Sequence, residues 1–167
     1  HRGEGDDATI ERAVKLTASV AEQLLDRGSS VGMVAVGAEQ DWSVTPSATP
    51  KQSVRVMDAL ARVQADAEEQ FRQTVASHLP YLSRGGLAII ISPRLDEAAL
   101  PIVTDLADRG HQVIWMIVEA LGEREPAAHE MRPDQLAARL VDRGVDAWTV
   151  APRYDLSLAM RRVRRAG

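Results

Sequence analysis

Leu106-Ala107-Asp108-Arg109-Gly110-His111-Gln112-Val113-Ile114-Trp115-Met116-Ile117-Val118 joins the end of a helix to a run that is apolar on both faces. A glycine just past the last helical turn takes the left-handed backbone that closes it, and an arginine there meets the negative end of the helix dipole. Val113 to Val118 has no polar alternation, which is the pattern of a strand covered on both sides, as in a parallel sheet. The stretch therefore reads as helix, stop, buried strand.

The same junction recurs at Leu25-Asp26-Arg27-Gly28, Leu82-Ser83-Arg84-Gly85 and Leu140-Val141-Asp142-Arg143-Gly144. The four glycines are unequally spaced, so this is recurrent loop chemistry rather than a solenoid repeat. Strand-like runs follow each of them: Val31 to Gly37, Leu87 to Ser92, Gln112 to Val118 and Ala147 to Val150. Trp42-Ser43-Val44 is a weaker candidate, close enough to the first strand to return as a short antiparallel edge.

Helical spacing fills the intervals. Asp7 to Arg27 repeats Ile10, Val14, Thr17, Ala21, Leu24 and Leu25, with Asp6 or Asp7 placed to cap its start. Further helices are expected over Ser53 to Val63, Glu68 to Leu82, Asp96 to Asp108, Pro133 to Asp142 and Leu156 to Val163. Pro80 disturbs the end of the second of these, whereas Pro133 sits at a tolerated first-turn position. Alternating helices and buried strands predict an α/β fold: a three-layer sandwich, with a mostly parallel sheet flanked by helices. A helix that opens the chain and feeds a parallel strand is half of a strand-helix-strand unit, so a first, central strand is expected before it, outside this sequence.

Composition narrows the function classes. With 167 residues, 45% hydrophobic and 26% charged, the chain fits one globular domain spanning residues 1–167. A net charge of -4 argues against a general nucleic-acid binder, which needs a basic field. The absence of cysteine removes disulfides, thiol catalysis and cysteine-bound metal. The longest apolar runs, Leu87 to Ile91 and Val113 to Val118, are far below the ~20 residues that span a bilayer. His1 to Asp7 is neither a secretory signal nor a transit peptide.

No residues stand out as catalytic, cofactor-binding or metal-binding. His78, His111 and His129 are isolated, and no phosphate loop or nucleophile elbow is present. Asp6, Asp7, Asp66, Glu68 and Glu69 fit the positive starts of helices. Trp115 reads as core, and Trp42 as edge packing or an exposed anchor. Open α/β sheets bind ligands at the carboxyl ends of their strands, which here places Ser92, Arg94, Glu119 and Arg153 on a rim fit for a protein partner. Arg161, Arg162, Arg164 and Arg165 form the densest charge cluster, a solvated tail or a weak contact for anionic lipid or an acidic partner. A small-molecule-binding or hydrolytic enzyme using the same crevice is the competing class, and it requires converging groups in a concave pocket.

Ile10-Glu-Arg-Ala-Val-Lys-Leu-Thr-Ala-Ser-Val-Ala, Leu24-Leu-Asp-Arg-Gly28 and Val31-Gly-Met-Val-Ala-Val-Gly37 resemble the bacterial family called domain of unknown function 58. Leu87-Ala-Ile-Ile-Ile-Ser92 and Arg109-Gly-His-Gln-Val113 extend the resemblance across most of residues 7 to 120. It implies a von Willebrand factor A-like, Rossmann-like sheet with the usual strand order 3-2-1-4-5-6 and its first, central strand missing from this chain. In metal-binding relatives that strand ends in Asp-x-Ser-x-Ser, and a further aspartate follows Ser or Thr at the end of the fourth strand. Here Ser92 is followed by Pro93, and no convincing threonine motif stands near Lys51, Gln52 and Ser53. The resemblance thus implies a fold kept with its metal site degraded and no cofactor. It also implies an upstream membrane-associated segment, a place on the cytoplasmic side of a bacterial membrane, and work with a MoxR-type AAA+ ATPase in assembling or maturing other complexes.

Overall fold

At Gly110 the end of a helix closes as its sequence demands: Gly110 N–H donates to Ala107 O (2.8 Å) and His111 N–H reaches back to Leu106 O (3.1 Å). The same pair of bonds forms at Gly28 and Ser29, and at Gly144 and Val145. This is the Schellman closure, which places one residue in the left-handed region. Gly28, Gly85, Gly110 and Gly144 carry φ of 78, 75, 80 and 79°, and they are the only positive-φ glycines among the described residues. The computed structural model describes residues 9–35, 42–63, 73, 77–78, 85–92, 100–119 and 132–151.

Four helices and five strands are defined among them. In chain order they are α1 (Thr9–Asp26), β1 (Val31–Ala35), β2 (Trp42–Ser47), α2 (Gln52–Leu60), β3 (Leu87–Ser92), α3 (Leu100–Asp108), β4 (Gln112–Val118), α4 (Pro133–Val141) and β5 (Asp146–Val150). The expected strands over Leu87–Ser92 and Gln112–Val118 appear with those bounds. The helix expected over Ser53 to Val63 instead runs from Gln52 to Leu60, and Ala61 and Arg62 form the turn that leaves it. Most of the helix expected over Glu68 to Leu82, and all of that over Leu156 to Val163, lies outside the described residues.

β3, β4 and β5 form a parallel sheet in that order, with Leu87 opposite Gln112 and Ile114 opposite Asp146. β4 is the middle strand and alternates its side chains between two cores. Val113, Trp115 and Ile117 pack with Leu100, Val103 and Leu106 of α3 and Leu136 and Leu140 of α4. Ile114, Met116 and Val118 face the opposite way, onto Ala13, Leu16 and Val20 of α1. The arrangement is a mixed α/β sandwich with a parallel sheet between helical layers.

β1 and β2 form a separate antiparallel pair. The described strands do not make one continuous sheet: it breaks between β1 and β3. α1 serves both pieces, because Ala21 packs with Val31, Val56 and Leu60, together with Val14, Ala18 and Leu25. Leu24 packs against both cores. Trp42, on the edge strand, is half-buried with the Arg62 guanidinium 5.4 Å above its ring, and Arg62 also bonds Asp58.

A bulge shapes the β1–β2 pair. Val31 opposes Ser47 while Met33 opposes Val44, so β2 carries an extra residue around Pro46, which has no N–H for the ladder. Gly32 faces this proline so closely that a Cβ would stand 2.7 Å from Pro46 Cγ. Beside the bulge, Val31 O and Thr45 O each accept a side-chain hydrogen bond. Gln52, fully buried at the start of α2, donates Nε2 to both, at 2.6 and 2.8 Å. Its Oε1 is buried without a partner, so the side chain is held for its donor end.

Replacing Gln52 by methionine strands two carbonyls and is expected to lower the unfolding free energy by about 3 kcal/mol. Gly110→Ala meets no neighbouring atom and should cost only the left-handed strain, about 1 kcal/mol. Urea unfolding of both variants checks the order, and a Gln52→Met loss no larger than that of Gly110→Ala contradicts the clamp.

Candidate functional site

α1 begins where the parallel strands end. Arg12, in its first turns, extends its guanidinium over the carboxyl ends of β4 and β5, donating Nη1 to Glu119 O and Nη2 to Ala151 O and to Val150 O (3.2 Å). Val150 O also accepts the Glu119 N–H at 3.0 Å. One planar cation thus ties three carbonyls on two strand ends, a task that suits the fixed fork of arginine. Glu119 O and Ala151 O lie beyond the last ladder pair, Val118 with Val150, so at these two the charge supplies what the sheet no longer can.

Two of the four residues expected on a strand-end rim, Ser92 and Glu119, lie among the described residues. Ser92 closes β3 and is buried, at 8% exposure, while Glu119 follows β4 and is partly buried. Both lie at the same end of the sheet as Ala151, since Ser92 is in register with Ile117, and Val118 with Val150. Arg94 and Arg153 lie outside the described residues, as do Arg161, Arg162, Arg164, Arg165, Asp6, Asp7, Asp66, Glu68, Glu69 and His129.

Arg12 is the residue that reading the sequence missed. Its charge marks it as solvent-facing, yet it sits beside the buried stripe of Ala13, Leu16 and Val20, and its acceptors are far along the chain. Gln52 was missed for a similar reason. In the stretch where the resemblance places a threonine motif, its amide is turned inward onto the β1–β2 pair rather than toward a ligand. His111 is also structural: its Nδ1 donates to Gly86 O at 3.2 Å, beside the Gln112 N–H bond to the same oxygen.

Among the described residues no three His, Asp or Glu side chains come together as metal ligands. No described helix is long and apolar enough to cross a membrane. A shallow groove between α3 and α4 is lined by Leu100, Pro101, Thr104, Asp105, Arg139 and Arg143, none of them from the strand-end rim. No protein-family model matches the chain, and no curated protein matches it.

Arg12→Met keeps much of the stem and removes the donors. It is expected to lower the unfolding free energy by about 2 kcal/mol, with Arg12→Lys recovering only part, because an ammonium has no planar fork. Chemical denaturation of the two variants decides: equal stability of Met and Lys with the parent protein contradicts the tie.

Proposed function

We propose that this chain is a non-enzymatic protein-interaction domain of the von Willebrand factor A-like kind, related to domain of unknown function 58. Its partner surface is the rim at the carboxyl ends of β3 to β5, formed by Ser92 and Glu119 together with Arg94 and Arg153, which come just after β3 and β5 in the sequence. The observation that carries this reading is the engagement of Arg12. The cation at the strand ends binds the protein's own Glu119, Val150 and Ala151 carbonyls, so it serves to hold the ends of β4 and β5 together. A rim of mixed acids and arginines favours partner choice and encounter rate.

The reading carries further expectations from the resemblance. The partner is a MoxR-type AAA+ ATPase, and the domain works on the cytoplasmic side of a bacterial membrane in assembling or maturing other complexes. Contact with its partner needs no bridging metal, because Pro93 stands where relatives place an aspartate, and a hard cation requires oxygen ligands. The terminal arginines Arg161, Arg162, Arg164 and Arg165 add at most a weak attraction to acidic surfaces.

Titration of the purified ATPase onto the immobilised domain tests this. Alanine at Ser92, Arg94, Glu119 and Arg153 together is expected to weaken binding by about 100-fold, the scale of a few interface hot spots. Binding of the parent domain should be the same in magnesium and in EDTA. Undiminished affinity of the quadruple variant removes the rim, and loss of binding in EDTA removes the metal-free contact.

A further inference from the structure

α2 buries one face and presents another that its packing does not need. Gln52, Val56, Ala59 and Leu60 are buried toward α1 and the β1–β2 pair. On the outer side Val54, Asp58 and Ala61 follow one another at helical spacing, and Lys51, Arg55 and Arg62 run in a row beside them, all six exposed. Val54, at 70% exposure, is the most exposed large apolar side chain among the described residues.

The cations bring the helix nothing. Lys51 at its cap and Arg55 in its first turn meet the positive end of the helix dipole, where acids are favoured, and that turn holds no acid. Lys51 makes no side-chain capping bond, and neither it nor Arg55 pairs with a carboxylate among the described residues. Across Val31 to Ala35 and Trp42 to Val63 three basic side chains stand against the one acid Asp58, in a chain whose net charge is -4. The face is thus a positive patch on an acidic protein, set against the local preference of the helix that carries it.

Arg62 closes the row in a fixed position. Its Nε and Nη2 donate to the two Asp58 carboxylate oxygens at 3.3 and 3.1 Å, and the guanidinium lies 5.4 Å over the Trp42 ring. A guanidinium braced in this way loses little rotamer freedom when a further acceptor reaches its outer edge.

We propose that the outer face of α2 is a second interaction surface, and that it takes an acidic segment of a partner protein. Lys51 and Arg55 lie one helical turn apart, so the segment presents carboxylates about 6 Å from one another, with an apolar side chain beside them that covers Val54. A membrane fits less well, because basic clusters that hold anionic lipid carry about four to eight Lys or Arg. A nucleic acid would press its phosphates on the Asp58 carboxylate in the middle of the face. The surface belongs to the β1–β2 unit and is independent of what the rim of β3 to β5 binds.

Amide NMR spectra of the labelled chain, titrated with a synthetic helical peptide that carries Glu at positions four apart and Leu beside them, test this. Shifts are expected at residues 51–62 and at the Trp42 indole, and the same peptide with Gln for Glu should bind about 10-fold more weakly. Lys51→Glu combined with Arg55→Glu should weaken the Glu peptide by at least about 10-fold. In urea that variant is expected to be as stable as the parent or more so, because its acids suit the dipole. No shift at millimolar peptide, shifts that map away from α2, equal binding of the Gln peptide or undiminished binding by the double variant overturns the proposal. A double variant that unfolds more readily does so too, since the cations would then serve the fold. Perturbation of α2 by phosphatidylserine vesicles or by single-stranded RNA, without a response to the peptide, makes a membrane or a nucleic acid the occupant and likewise overturns it.

Discussion

The strand Gln112–Val118 has no side to give to water. With Val113, Trp115 and Ile117 on one face and Ile114, Met116 and Val118 on the other, burial on a single face would leave three large apolar groups exposed. Each such group is worth about 1.5–3 kcal/mol when fully buried. The chain meets that demand by setting α3 and α4 on one face and α1 on the other, and the parallel ladders to β3 and β5 follow from the crossovers this requires. The sharp glycine closures are what let helices of nine to eighteen residues turn straight into strands: α1 into β1, α3 into β4 and α4 into β5.

α1 carries a double load. Its stripe of Ala13, Leu16 and Val20 covers the parallel sheet, the adjacent stripe of Val14, Ala18, Ala21 and Leu25 covers the β1–β2 pair, and Arg12 fastens its first turns to the strand ends. Cores tolerate such sharing only when both faces are apolar and closely filled. The helix thereby fixes how the two sheets stand to one another and where the strand-end rim opens. The proposed partner surface depends on it at its start, where Arg12 meets the strand ends.

What could be read in the sequence was local. The glycine closures depend on residues a few positions apart, and β3 and β4 are marked by unbroken apolar runs, so their bounds were legible. Trp115 as core was equally plain, since an indole inside Val-Ile-Trp-Met-Ile has nowhere else to go. The length of β2 was not legible, because Pro46 argues against a strand and is accommodated only by the bulge and by Gly32 opposite it. Arg12 and Gln52 escaped for the same physical reason. Each is polar, each is engaged with main-chain carbonyls, and no spacing rule links a side chain to carbonyls that only the folded chain brings near. The break between β1 and β3 is likewise a matter of pairing, which period-two patterns leave undetermined.

The most direct test of the two-faced strand is a methyl NOESY spectrum of the protein with labelled Ile, Leu, Val and Met side chains. The account predicts that Ile114 and Met116 give cross-peaks to α1, that Ile117 gives them to α3 or α4, and that neither set crosses the sheet. Cross-peaks from Ile114 and Ile117 to the same helix, or the close Hα–Hα contacts of an antiparallel pair between β3 and β4, would contradict it.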